Sequence, residues 1–295
     1  MTVELRGSLL ALISAILWGS FGIFSTYLTQ AGFSAAGVAS NGAFLSAVLQ
    51  WAVIGAIAPR FLKPTRSILQ FTAIYGLLAV SFLNAAYLTA IELTSVSTAV
   101  VLICIAPLWV MLYRLFRGFP LHPIEWIVLP IACCGVALVA SGYGDFGMNS
   151  LGIFLGLIAG IAFAGMSILG DVAAQKEIHP MTLMPWSTAF GAIGLAFWHP
   201  PLWSWPSGDL TTQLALLFAW IILANLLPWT LFLLSLRDIP PQQASLIVLA
   251  EPIAAILMAV LILGEAITLL QIVGVCLTIG SVLLIVFRRN FELIA

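Results

Sequence analysis

The chain has 295 residues, of which 62% are hydrophobic and only 7% charged, and its mean hydropathy is +1.17. A soluble domain carries about 25% charged residues, so this composition excludes a soluble globular protein and marks a polytopic α-helical membrane protein. The net charge of −1 says nothing about partners; the placement of the charges says a good deal.

Crossing a hydrocarbon core takes about 20 apolar residues per helix. Polar, Gly and Pro punctuation divides the chain into ten such runs. In the first half they cover 8–28, 36–58, 68–90, 95–116 and 121–141. In the second they cover 151–171, 180–198, 211–234, 241–263 and 267–287. The stretch 8–17 has the character of a signal-peptide core, but no convincing small-residue cleavage site follows, so it reads as the first retained helix. The gaps leave no room for a soluble domain. The longest, HPPLWSWPSGDLTT at 199–212, reads as an interfacial loop.

Charge placement tests the count. With the N-terminus in the cytoplasm, the inner loops hold Arg6, then Arg60, Lys63 and Arg66, then Arg114 and Arg117. They go on to Lys176, Arg237, Arg288 and Arg289, which completes all ten Lys and Arg residues. The opposite loops hold the acids Glu92, Asp145, Asp209 and Glu265. Lys- and Arg-rich loops stay inside, so both termini are expected in the cytoplasm, and the protein in the cell inner membrane.

The ninth span contains the oddest residue. VLAEPIAAILM at 248–258 carries Glu251 directly before Pro252, and a bare carboxylate at bilayer depth costs a few kcal/mol. Its neighbourhood recurs. At an offset of 145 residues (Pro107 to Pro252), CIAPLWVML lies on LAEPIAAIL, with Ala106 in the place of Glu251. The same offset sets Gly7 on Gly152, Trp18 on Phe163, Tyr75 on Trp220, Asn84 on Trp229, Tyr87 on Phe232 and Gly135 on Gly280. Each half, 1–145 and 146–295, holds five spans. Five is odd, so the second half enters the membrane from the opposite side. Such inverted repeats are the architecture of many secondary transporters, with the substrate site near the midplane between the halves.

The chain resembles an EamA-type member of the drug/metabolite transporter superfamily. The resemblance rests on SAILWGSFGIFS at 14–25, on the paired proline segments, and above all on LAEPIAAILMAVLILGEAITLLQIVGVCLTIGSVLL at 249–284. The first half departs from the pattern, with Phe119-Pro120 where Gly-Glu is usual. The resemblance implies that spans one to four and six to nine surround a central cavity. Spans five and ten then lie behind as braces or an oligomer contact. It also implies export of small organic solutes.

Within that frame the intramembrane polar and aromatic residues are the candidate lining. Asn225 and Trp229 stand four apart on the eighth span, with Pro228 between them expected to kink the helix and free a carbonyl. Tyr75, Asn84 and Tyr87 stand on the third span and Asn41 on the second. Trp18 lies about 15 Å into the first span at 1.5 Å per residue, too deep for an interfacial belt. Trp109, Trp186, Thr98 and Gln243 complete the set. Each asparagine lines the cavity or serves as interhelical glue; Trp18 and Trp186 line it or pack and anchor. Pro107 and Pro252 are candidate hinges. Glu251 has three readings: a proton-coupling site, an anion for a substrate amine, or a structural group hydrogen-bonded to Ser245 or Thr98. The cysteines Cys104, Cys133, Cys134 and Cys276 read as small packing residues, and His122, His179 and His199 lie at helix ends without a second metal ligand.

The expected function is secondary transport of a small organic metabolite, foremost export of an amino acid or relative, with organic-cation or vitamin-like substrates as the alternative. The partners are that substrate and the lipid bilayer, with a proton as candidate coupling ion. No cofactor and no nucleic acid are called for, oligomeric state is left open, and an intramembrane enzyme or a scaffold fits poorly.

Overall fold

The computed structural model describes residues 2–94, 99, 102–119, 123–140, 149–202, 205–263 and 268–286, and every regular element among them is helical. Thr98, Pro120, His122, Asp145, Glu265, Arg288 and Arg289 lie outside the described residues. The segment GEA at 264–266 does too.

Helix α1 (Val3–Gly19) begins where Thr2 Oγ1 accepts from the Leu5 amide at 3.2 Å. It ends at Ser20, and α2 (Phe21–Gln30) continues, so the first span is two helices joined by a turn. Gly19 has to be bare there, because a Cβ would meet the Ala254 side chain at 2.6 Å. Helix α3 (Ala35–Ile57) is capped by Ser34. The third span is α4 (Arg66–Gly76), a π-helical segment Leu77–Phe82, and α5 (Leu83–Leu93). Helix α6 (Ala106–Phe116) has Pro107 in its first turn, where a missing N–H costs no intrahelical bond. Then comes α7 (Pro123–Ala140).

The second half runs α8 (Ser150–Gln175), α9 (Pro180–Trp198) and α10 (Leu210–Ala219). A π segment Trp220–Leu226 leads into α11 (Leu227–Ser235). Helix α12 (Pro241–Val248) turns at 249–250 into α13 (Glu251–Met258), and α14 (Leu269–Val286) closes the described chain. Five helical runs among the described residues are long and apolar enough to cross a membrane: Ala36–Ile57, Arg66–Ala90, Ser150–Gln175, Leu210–Ser235 and Pro241–Ile262. The shortest of them has 22 residues. At 1.5 Å per residue it spans about 33 Å, enough for a core of about 30 Å. Shorter apolar helices cover Ala106–Phe116, Pro123–Leu138 and Leu269–Ser281.

Element bounds recur at the 145-residue offset. The π segment 77–82 falls on 222–227, against 220–226 observed, and the turn at 104–105 falls on the turn at 249–250. Pro228 stands two residues after its π segment, in the first turn of α11, where a widened turn takes the place of a simple kink. The pyrrolidine is absent from the first copy, where Leu83 stands, yet the π segment forms there as well.

Packing also exchanges under the offset. Helix α1 packs on α11 and α13, and its counterpart α8 packs on α5 and α6; α3 packs on α9, and α7 on α14. Small residues set these distances. A Cβ at Gly76 would collide with the Ser187 backbone of α9, and one at Gly135 with Thr278 of α14. At the Arg6 end, a bidentate ion pair to Asp238 at 2.8 Å ties α1 to the segment between α11 and α12.

Candidate functional site

A cavity of about 190 Å³ lies at the centre of the helices. Helices α1, α5, α6, α8, α11 and α13, both π segments of spans three and eight, and both proline breaks contribute to its wall, and among the described residues none of α7 or α14 does. Its volume is below the roughly 300–1,000 Å³ of clefts that take drug-sized ligands. It fits a solute of metabolite size.

The wall has five aromatic residues: Trp18, Phe21, Tyr87, Phe163 and Trp229. The Trp18 ring meets Phe163 edge-on at 6.2 Å and Phe232 at 5.5 Å. Phe163 is the repeat counterpart of Trp18, and a residue that touches its own counterpart stands at the pseudo-two-fold axis. The polar groups are Asn84, Asn225, Cys104, Ser245 and Glu251. Asn84 Nδ2 donates to the Val80 carbonyl at 2.6 Å, inside the π segment, where helical bonding leaves acceptors open. Asn225 Nδ2 is buried with no hydrogen-bond partner among the described residues.

Glu251 is half-buried at the first turn of α13, on the cavity wall with Tyr87 and Cys104. It makes no hydrogen bond or ion pair among the described residues. The hydroxyl expected to hold it, Ser245 Oγ, donates instead to the Gln242 carbonyl at 3.1 Å. Among the described residues the lining contains no Lys, Arg or His, and one carboxylate stands in an otherwise aromatic and amide-dotted space.

Eight of the candidate residues therefore share this wall: Trp18, Asn84, Tyr87, Pro107, Asn225, Trp229, Glu251 and Pro252. Others stand apart. Tyr75 is fully buried beneath the cavity and accepts from Trp229 Nε1 at 3.2 Å. Gln243 is buried against α1, donating to Ser8 Oγ at 3.2 Å. Asn41 accepts from the Leu202 amide at 2.7 Å, and Trp186 packs on Trp51 with ring centroids 4.6 Å apart. Trp109 packs in a small cluster with Ala106, Val110 and Ala164. Thr98 lies outside the described residues.

Several members of the wall carry no polar signal in the sequence. Cys104, whose residue type suggests packing, lines the cavity, as do Phe21, Phe163, Met166 and Ala224. A signal for them existed. The 145-residue offset carries Trp18 to Phe163, Phe21 to Met166, Ala79 to Ala224, Ile103 to Val248 and Cys104 to Leu249, and both members of each pair line the wall.

The chain matches the EamA-like transporter family twice, over residues 5–141 and 150–287. It belongs to that family. The threonine/homoserine exporter RhtA of Salmonella typhimurium is 27% identical over 226 residues, covering 75% of this chain and 72% of its own. The uncharacterized inner membrane transporter YicL of the same species is 26% identical over 302 residues, covering 95% of each chain. A solved crystal structure has the same fold, with a TM-score of 0.79 at 14% identity, covering 98% of this chain and 99% of that one. The protein is thus a multi-pass inner-membrane transporter with an EamA domain in two copies.

Proposed function

We propose that this transporter moves a small organic metabolite, an amino acid or a related compound, out of the cell by alternating access. Its ten spans form two inverted five-helix repeats, 1–145 and 146–295, with both termini cytoplasmic. The orientation is supported by the ten Lys and Arg residues, all of which fall in loops of one side. The amino-acid class is supported by the likeness to a threonine/homoserine exporter.

One observation carries the reading: a metabolite-sized cavity whose wall is built from repeat-related pairs and both proline breaks. Pro107 and Pro252 stand in the first helical turn after equivalent breaks at 104–105 and 249–250, and a helix broken there bends readily. Two halves that exchange bent and straight forms would open the same cavity to either side in turn. Trp18, Asn84, Tyr87, Asn225 and Trp229 contact the solute, and Glu251 couples or gates.

A second reading, organic cations, is favoured by the lone carboxylate in a wall without basic residues and by the aromatic faces around it, which attract cations. Counterflow in proteoliposomes against a panel of amino acids and amines, at two pH values, separates the two. Exchange of threonine-like solutes supports the first reading, and exchange of quaternary amines alone removes it. Glu251→Gln is expected to flatten the pH dependence of exchange. An unimpaired mutant beside a pH-independent wild type would remove the coupling role.

A further inference from the structure

Trp229 Nε1 donates to the Tyr75 hydroxyl at 3.2 Å, and the two rings stack with centroids 6.0 Å apart and planes 18° apart. Tyr75 is fully buried. The pair joins α11 to α4 between the cavity and the end that carries Arg6, Arg66 and Arg237. Farther toward that end, Arg114 Nη1 donates to Gln242 Oε1 at 2.7 Å, joining α6 to α12. Arg237 Nη2 donates to the Ile178 carbonyl at 3.1 Å. This side of the cavity is closed by direct bonds.

The offset that maps the halves onto each other carries Tyr75 to Trp220 and Trp229 to Asn84. The counterpart pair is not bonded. Trp220 and Asn84 instead flank a pocket of about 30 Å³, which shares Val80, Asn84, Asn225 and Trp229 with the main cavity. Trp220 Nε1 is buried with no hydrogen-bond partner among the described residues. Asn84 spends its Nδ2 on the Val80 carbonyl, which leaves its Oδ1 as an acceptor. A buried indole N–H without an acceptor is unfavourable. Here an acceptor of the right kind lies across a small gap, at the position where the other repeat makes its bond.

We infer that Tyr75–Trp229 and Asn84–Trp220 are the two alternating closures of the cavity. In the state seen here the first is made and the second is open. When the halves exchange conformations, Trp229 Nε1 releases the Tyr75 hydroxyl and Trp220 Nε1 donates to Asn84 Oδ1. The solute then meets a closed wall on the other side. The inference rests on the alternating-access reading and deepens it by naming the contacts that exchange.

The test uses a chain in which Cys133, Cys134 and Cys276 are replaced by Ser, leaving Cys104 on the cavity wall. A membrane-impermeant maleimide is applied to inside-out and to right-side-out vesicles, and the ratio of the two Cys104 labelling rates is read. Trp229→Phe and Tyr75→Phe each delete the closed pair's bond while keeping the rings. Both should raise the inside-out share by roughly two- to tenfold, the span of one net hydrogen bond. Trp220→Phe deletes only the bond of the opposite state and should lower that share by a similar factor. A shift of all three in the same direction, or no shift in Trp220→Phe, overturns the inference. So does disagreement between Trp229→Phe and Tyr75→Phe. Labelling needs no solute, so opposed shifts in a protein that exchanges nothing on the panel would count against the substrate reading alone.

Discussion

Glu251 shows how one residue's meaning depends on its neighbours. In an apolar run it costs a few kcal/mol unless it has a partner or a task, and the structure sets it on the wall of a cavity, beside Tyr87 and Cys104. An intramembrane acid of this kind is by default a candidate functional site. Outside the membrane the acids have plainer work. Asp209 caps α10, accepting from the Thr211 and Thr212 amides at 3.2 and 3.1 Å and from the Thr212 hydroxyl. The Thr212 hydroxyl, then the backbone donors, hold its carboxyl below the usual carboxylate range. Its folded value lies under the unfolded one, so the stabilisation is present above the unfolded value and is lost as pH falls through the folded value. Asp209→Ala should therefore lower the melting temperature at pH 7, and the difference from wild type should shrink in acid. An equal difference at pH 7 and pH 3 would contradict the cap's charge dependence.

At the scale of elements, the helices and the proline breaks were legible while their faces were not. Apolar length marks the five helical runs that are long enough to cross a membrane, and Pro107 and Pro252 mark the turns at 104–105 and 249–250. The break at Ser20 carries no proline and was read as continuous helix. The π segments at 77–82 and 220–226 have no composition that marks them. Because these helices are apolar all round, periodicity does not say which side faces the centre. That is why Trp109, as deep in sequence as Trp18, and Trp186, nearer the start of its span, pack away from the cavity. Apolar wall residues such as Phe163 were invisible one at a time and legible only through their repeat partners. If the breaks are the moving parts, Pro107→Ala with Pro252→Ala should restore continuous helices and slow exchange on the order of tenfold, a barrier change of about 1.4 kcal/mol. Membrane insertion should be unaffected. Wild-type rates in the double variant would defeat the hinge role.

The molecule as a whole is two similar halves with unequal details. The main cavity straddles the pseudo-two-fold axis, where Trp18 touches Phe163. Yet Ala106 stands opposite Glu251, and only one of the two aromatic closures is made. On the alternating-access proposal, symmetry of this kind would let one site face both sides of the membrane, and the departures from it would make the two states unequal. The central claim is that the solute travels through this cavity. The most direct measurement is protection of Cys104 from alkylation by a solute that gives counterflow, with Cys134 and Cys276, outside the cavity wall, as references in the same protein. The solute should slow Cys104 labelling with a half-effect near the concentration that half-saturates its exchange, and leave the other two thiols unchanged. A solute that exchanges rapidly and leaves Cys104 labelling untouched would show that transport takes another route.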